Sequence, residues 1–472
     1  MSLKIFNTLS RREEVLEPIE PGLVRFYTCG PTVYNFAHIG NFRAYVFEDL
    51  LRRQIKVSGF KVCQVMNLTD VDDKTIRGAK NAGMSLADFT ARYKKAFFDD
   101  IAVLNIERAE YYPAATDHIP EMIELIKKLM EKGYAYKSQD GSVYFAVSKF
   151  PSYGKLAHLD TAGLKAGARV IHDEYEKESL ADFALWKAWD EGDGDVYWDS
   201  PWGRGRPGWH IECSAMGMKY LGESFDIHTG GIDNMFPHHE NEIAQSEAAT
   251  GKQFVKYWMH CEHLRVNGEK MSKSLGNFYT LRDLLEKGYR GREIRYVLIS
   301  AHYRQTLNFT FDALNAARVA LARVDDFVFR IKEIAGSKKV IIPKGWKSQA
   351  WVHEYRNRFL MSMENDLNSP QALAALFDFI VAGNKAISEG KVTPEDAEDI
   401  LSLLEDMDKV LGVIIREEDK PDEKVLLLVN KREEARKAKN WELSDQIRSD
   451  LFTMGWEVRD TPAGPKLRKN LK

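Results

Sequence analysis

The firmest pattern of apolar and polar positions lies in residues 23–70. LVRFYT is rich in β-forming residues and is closed by Gly30-Pro31. FRAYVFEDLLRRQIKV then repeats Ala44, Phe47, Leu51 and Ile55 at three- and four-residue steps, and FKVCQVMNLTD follows from Phe60. The periods predict a strand, a tight turn, an amphipathic helix and a returning strand, which is a βαβ unit. Its first turn carries Cys29–Asn41, CGPTVYNFAHIGN, and His38 and Gly40 stand where the helix begins. Helix N-termini offer unpaired N–H groups to anions, and ligands of parallel sheets bind beyond the carboxyl ends of the strands. The stretch has neither G-x-G-x-x-G nor G-x-x-x-x-G-K. On its own, His38 reads more readily as a local hydrogen-bonding residue than as a catalyst.

Further along, a helical stretch is expected around Ser85 to Asn105. Another runs from Asp117 to Lys132, with Ile119, Met122, Ile123, Ile126 and Leu129 on one side and Gly133 at its end. AYKSQDGSVYFAV is a hairpin pattern about Asp140-Gly141. Loop-rich sequence passes Gly163 and Gly167 into a Trp-rich stretch that ends in GRPGWHIEC. FDIHTGG predicts a strand into a Gly-Gly turn, HHENEIAQSEAATG a helix, YWMHCEHLRV a strand, and NGEKMSKSLGN the loop beyond it, with Thr280 able to cap the next helix. From Phe311 the period is firmly helical to Gly336. Ser369-Pro370 and Thr393-Pro394 each open a further helix with proline at its favoured first position. REEDKPDEK is a polar joint, followed by one charged helix, KREEARKAKNWELSDQIRSDLFTMG, a short strand from Trp456 to Arg459, and a basic tail, PKLRKNLK.

At 472 residues the chain is long enough for about three domains. A net charge of −3 announces no polyanion partner, so any nucleic-acid face must be a local patch. No run reaches membrane-spanning length and the first residues do not form a signal peptide, so the expected location is cytoplasmic, with no membrane. Four cysteines, Cys29, Cys63, Cys213 and Cys261, with no C-x-x-C, argue against a disulfide framework and a local zinc knuckle. A metal site would have to be gathered from distant segments. His238 and Glu242, four apart on the expected helix, share a face and can reach one ion, although such a pair in isolation is more often an exposed helix pair. The two halves of a split nucleotide fold bring their strand ends to one crevice, so Cys29 and Cys213 could join them. Two thiolates, an imidazole and a carboxylate suit zinc.

His38-Ile39-Gly40-Asn41 and Lys270–Ser274, KMSKS, resemble, in order and separation, the two signature sequences of the class I aminoacyl-tRNA synthetases. Asn41 departs from the commoner form, which has a second histidine there. CGPTVYNFAHIGN, GRPGWHIECSAM, GGIDNMFPHHENEIAQSEA, KMSKSLGNF and NSPQALAALFDF together resemble the cysteinyl-tRNA synthetase family, from about Phe26 to the C-terminus. The fold class implied is α/β: a split Rossmann-type parallel sheet catalytic domain with an inserted connective domain, then a helical bundle and a small mixed α/β anticodon-binding unit. The corresponding boundaries are 1–110 and 201–265 for the two catalytic halves and 111–200 for the insertion. Residues 266–310 would form the KMSKS loop and stem-contact region, 311–415 the tRNA-binding bundle and 416–472 the C-terminal unit.

The resemblance implies cysteine-tRNA ligation. The carboxylate of L-cysteine attacks ATP to give cysteinyl adenylate, which then acylates the 2′-OH at the 3′ end of tRNA(Cys). Cys29, Cys213, His238 and Glu242 become the ligands of one Zn²⁺ per chain, with His239 a neighbour, and Mg²⁺ accompanies ATP. His38, Lys270 and Lys273 are the expected catalytic residues. Thr32, His38, Gly40, Asn41, Gly230, Gly231, Asp233 and Lys273 are expected at ATP, and Thr69, Trp209 and His228 in the cysteine pocket. A soft ion binds a thiolate far better than a hydroxyl, so discrimination against serine of about 10⁴ or more is reachable without an editing domain. A monomer is implied.

From the residues alone, other readings stay open. Lys270 and Lys273 could be solvated loop charges, Asp233 a helix cap, Trp209 core, Cys63 and Cys261 buried thiols, and the basic tail a solvated terminus or a contact to the anticodon arm. Two rival functions remain. One is a ligase that passes activated cysteine to an amino sugar, against which Phe311–Lys472 argues. The other is a non-enzymatic zinc-stapled nucleotide or RNA-binding module.

Overall fold

The structure is a computed structural model and describes residues 2–159, 169–170, 182–336, 349–414, 423–461 and 464–469. The βαβ unit forms as β3 (Leu23–Thr28), α1 (Ile39–Val57) and β4 (Lys61–Met66), with β3 and β4 parallel from Leu23↔Lys61 to Thr28↔Met66. It is preceded by an unforeseen antiparallel hairpin, β1 (Lys4–Asn7) and β2 (Arg12–Val15). Strands of four residues with mixed burial carry too little period to show in the sequence.

After β4 come α2 (Asp73–Ala82) and α3 (Leu86–Val103), capped by Asp72 and Ser85. Next are α4 (Ile119–Glu131) and the expected hairpin, β5 (Ala135–Lys137) with β6 (Val143–Phe145). β7 (Arg169–Val170), β8 (Asp182–Ala188) and β9 (Gly205–Pro207) extend that hairpin into a five-stranded sheet outside the central one. The loops expected at Gly163 and Gly167 lie outside the described residues. The chain returns through α5 (Trp209–Leu221), β10 (Phe225–Gly231), α6 (Glu240–Thr250) and β11 (Val255–Cys261). The central sheet is all parallel in the order β11-β10-β3-β4. The two chain halves therefore meet at the β10–β3 pair, where strand order reverses and a ligand crevice is expected.

β12 (Leu264–Val266), β13 (Glu269–Lys270), α7 (Leu281–Glu286), α8 (Gly291–Ile299) and β14 (Leu307–Phe309) follow. The bundle is α9 (Phe311–Ala335), α10 (Ala350–Glu364), α11 (Ser369–Ser388) and α12 (Pro394–Leu411), with caps from Thr310, Asn368 and Thr393 on α9, α11 and α12. One apolar core runs from α1 through α8 into this bundle, and a second lies beneath the inserted sheet. A buried ion pair ties the joint: Arg295 on α8 reaches Asp49 on α1 at 2.5 Å and donates to Leu104 O, Asn105 O and Leu411 O. Burial alone would raise the Asp49 carboxyl, but Arg295 and Arg53 hold it below the usual range.

Two expectations for the C-terminal unit are corrected. The charged stretch is two helices, α13 (Glu423–Lys437) and α14 (Trp441–Thr453). Lys439 adopts a left-handed φ of 58°, and Asn440 caps α14 by accepting from Leu443 N, so the break falls where a turn residue precedes a capping residue. The basic tail is a strand as far as residue 469: β16 (Gly464–Lys469) pairs with β15 (Trp456–Thr461). Most of the polar joint at 416–422 lies outside the described residues. Cys261 is buried as expected, whereas Cys63 is only half-buried.

Candidate active site

A cavity of about 670 Å³ opens where the carboxyl ends of β3 and β10 meet. Cys29 follows β3, and Gly30 lets the chain pass under β4, since a Cβ there would lie 1.8 Å from Asn67 O. Pro31–Val33 then runs beside Thr69, with Val33 N donating to Thr69 O at 3.0 Å. The backbone thus brings Thr32, Thr69 and Cys29 to one wall, and all three line the cavity.

His38 is the N-cap of α1. Its Nδ1 accepts from Asn41 N at 3.2 Å while Asn41 Oδ1 accepts from His38 N at 3.1 Å, a reciprocal capping box. Burial lowers the His38 pKa, although Asp233 opposes that shift. A neutral ring accepting at Nδ1 carries its proton on Nε2 and is a hydrogen-bond donor there. Asn41 is therefore the partner that fixes the histidine. Gly40 makes room for the ring, since a Cβ there would come within 2.9 Å of His38 Nδ1.

The second signature lies against the first. Ile39 N donates to Tyr279 O at 3.0 Å, and His38 and Thr280 form a bridge. Phe278 meets the His38 ring edge-on at 5.2 Å, and Lys273 Nζ stands 5.3 Å from the centre of the Phe278 ring. Asn277 staples the loop by accepting from Ser272 N and donating to Lys270 O. Gly40, Asn41, Gly231, Asp233, Lys270 and Lys273 all line the cavity. Gly230 does not; its lack of a side chain leaves space for His239, whose ring would lie 2.9 Å from a Cβ.

The four expected metal ligands converge. One donor atom from each of Cys29, Cys213, His238 and Glu242 lies within 4.8 Å of the others. Cys213 sits in the second turn of α5, and His238 immediately precedes α6, which carries Glu242. The residues fit a soft divalent cation on three grounds. Two sulfurs, an imidazole and a carboxylate are a zinc donor set. Glu242 Oε1 is buried without a hydrogen-bond donor; His238 Nε2, 3.1 Å away, is close enough for an ion pair but is not aligned to donate. Finally, burial pushes the Cys29 thiol up, with Cys213 and Glu242 adding to it, and burial raises the Glu242 carboxyl to about 8. Acidic groups crowded out of water in this way are what a cation stabilises.

A second group, Cys29, His228, His239 and Glu242, is equally close. Here His239 does more than neighbour the site, because its Nε2 is 3.2 Å from Cys29 Sγ. The cavity separates the two groups. Cys29, Cys213 and His238 line it, whereas His228, His239 and Glu242 do not. His228, expected in the cysteine pocket, does not itself line the cavity. It lies behind Glu242, bonded to Oε2 at 3.0 Å and stacked on Trp258. Trp209 does line the cavity, stacked on the His238 ring at 4.2 Å. Thr69 donates to Glu212 at 2.8 Å and accepts from Asn67.

The family model of the class I (C) tRNA synthetase catalytic domain matches residues 15–319, and that of the DALR domain matches residues 358–415. The cysteine-tRNA ligase of Protochlamydia amoebophila (strain UWE25) is 53% identical over 474 residues, which cover 99% of this chain and 98% of the relative. That of Brachyspira hyodysenteriae is 51% identical, covering 98% of each chain.

The chain belongs to the cysteinyl-tRNA synthetase family.

The fold of this synthetase is shared with Mycobacterium tuberculosis methionyl-tRNA synthetase in complex with methionyl-adenylate. The TM-score is 0.64 at 16% identity, with 83% of this chain and 92% of the other covered. No helix among the described residues is long and apolar enough to cross a membrane. Several site residues of the synthetase carried no sequence signal of their own. Phe278 joins the two signatures. His210 and His260 complete a buried imidazole chain, in which His210 Nδ1 meets His238 Nδ1 at 2.8 Å and His239 Nδ1 meets His260 Nε2 at 2.9 Å. Only the concentration of histidines in the segments WHIEC, FDIHTGG, FPHHE and YWMHC could have suggested that chain.

Proposed function

We propose that this synthetase activates L-cysteine with ATP and transfers it to the 2′-OH at the 3′ end of tRNA, with Cys29, Cys213, His238 and Glu242 holding a zinc ion. The observation that carries the reading is the gathering of these four donor groups, three of which line the same cavity as His38 and Lys273. Zinc bound there would supply a soft acceptor for the substrate sulfur, which serine lacks.

The chain's own residues bind and orient. Trp209 and Thr69 wall the space beside Cys29 and Cys213, so a small amino acid fits with its carboxylate toward the nucleotide. His38, as an Nε2–H donor, and the Gly40 N–H at the start of α1 donate to phosphate oxygens. Asp233, next to the Gly231 turn, suits the ribose hydroxyls. Lys273, with Lys270 near it, stabilises charge on the β- and γ-phosphates as the carboxylate oxygen bonds to the α-phosphorus and the bond to the β-phosphate oxygen breaks, releasing pyrophosphate. Mg²⁺ accompanies the nucleotide. In the second step the ribose oxygen bonds to the acyl carbon, AMP leaves with the electron pair of the broken C–O bond, and the hydroxyl proton passes to AMP or water. Positioning supplies most of the acceleration in both steps.

Pyrophosphate exchange measured with cysteine and without tRNA tests activation, and charging of tRNA(Cys) tests transfer. Exchange without charging would turn the assignment toward the amino-sugar ligase, and absence of exchange would remove the reading altogether.

A further inference from the structure

The cavity has one wall that neither half-reaction, as described, uses. Tyr34 lines it and keeps 38% of its surface exposed, while its neighbour Val33 is buried. Lys74 Nζ lies 5.5 Å from the centre of its ring and also lines the cavity. The position is braced from outside. Lys74 is in the first turn of α2, whose Asp73 is held by Lys187 of β8 at 3.1 Å and by Arg206 of β9. Tyr34 also stands at the amino-acid side of the cavity, because the backbone just before it runs along Thr69.

An acceptor nucleotide must enter from outside a cavity already holding the adenylate. Its ribose must reach the acyl carbon at the amino-acid side, which brings its base to the exposed Tyr34 ring on that wall. An exposed aromatic ring there, next to a cation, has the character of a stacking platform for single-stranded nucleic acid. We infer that Tyr34 is the platform on which the terminal base of the tRNA stacks during transfer, with Lys74 set against the adjoining phosphate. This rests on the assignment of the Thr69–Trp209 region to cysteine. Tyr34 is a positioning residue for the acceptor end and takes no part in cysteine activation.

The test separates the two half-reactions in the full-length enzyme. Enzyme-bound cysteinyl adenylate is mixed with excess tRNA(Cys), and single-turnover transfer is followed beside cysteine-dependent pyrophosphate exchange. Tyr34→Ala should slow transfer about tenfold or more and change exchange by no more than about twofold, while Tyr34→Phe, which keeps the ring, restores transfer. Lys74→Gln should weaken tRNA binding and reduce the slope of its salt dependence by about 0.7 to 1. Wild-type transfer by Tyr34→Ala overturns the inference, as does an equal fall in exchange, which would place the ring in the adenylate site. Failure of the wild type to exchange with cysteine strikes the cysteine assignment instead.

Discussion

Replacing Asn41 separates its structural contact from its place beside the nucleotide. Its Oδ1 accepts from His38 N at 3.1 Å, and its own N–H holds His38 Nδ1. Asn41→Ala removes the first bond and keeps the second, because the second is made by backbone. The His38 N–H is then left half-buried without its acceptor at the start of a 19-residue helix that is packed into the core. Loss of one arm of a cap costs about 1 kcal/mol, in a range of roughly 0.5–2, which corresponds to a fall in Tm of roughly 2 °C for a unit of this size. Asn41→Asp retains an acceptor, and its charge favours the helix N-terminus by about 0.3–1 kcal/mol. That same carboxylate would face phosphates. At an effective dielectric of about 20 and a separation of about 5 Å, the repulsion is about 3 kcal/mol, which magnesium and water reduce to roughly a tenfold rise in KM for ATP. Thermal unfolding and cysteine-dependent exchange are measured on both variants. Alanine should lower Tm and leave KM for ATP nearly unchanged; aspartate should do the reverse. Equal destabilisation by both, or an intact Tm in the alanine variant, refutes the capping argument.

Phe278→Ala removes the edge contact to His38 and the ring beneath Lys273, together worth about 1–2 kcal/mol. Single-turnover adenylate formation should fall roughly 5- to 30-fold with KM for cysteine unchanged, and an unaltered rate would sever Phe278 from the signatures. Burial holds His260 at a pKa of about 3, with His228 adding to it, against an ordinary value of 6.5. The unfolded chain therefore binds a proton below pH 6.5 that the folded one refuses. Stability present above pH 6.5 is lost as pH falls toward 3, by up to about 1.4 kcal/mol per pH unit for this group. His260→Gln should remove that share of the slope between pH 6.5 and 4.5 in denaturant titrations, and parallel wild-type and variant profiles would contradict it.

What the sequence disclosed followed the range of each interaction. α1 and the β3–β4 pair show in the period because each of their residues answers to neighbours three, four or two positions away. The ligand set was legible only through likeness to a family, since Cys29, at the end of β3, and Cys213, on α5, come from the two halves of the chain and meet only in the fold. The place of His228 behind Glu242 was not legible. It depends on parallel register, which sets His228 beside Trp258, within reach of Glu242, and away from the cavity. Asn41 was expected at ATP, and its role in capping did not show because its partner, the His38 N–H, is a backbone group that no sequence pattern displays. In the C-terminal unit, charge concealed both a helix break and a strand: residues 430–440 are charged or polar apart from Ala435 and Ala438, so the end of α13 at Lys437 left no change of period.

The central claim is that a soft ion, seated on Cys29, Cys213, His238 and Glu242, chooses the amino acid by its sulfur. Metal content and exchange with cysteine and with serine, measured on the same preparations of wild type and Cys213→Ser, test it most directly. The account predicts about one zinc per wild-type chain with exchange only for cysteine, and a variant that loses zinc and cysteine activation while still binding ATP. A metal-free wild type that distinguishes cysteine from serine, or a Cys213→Ser enzyme that activates cysteine normally, would contradict it.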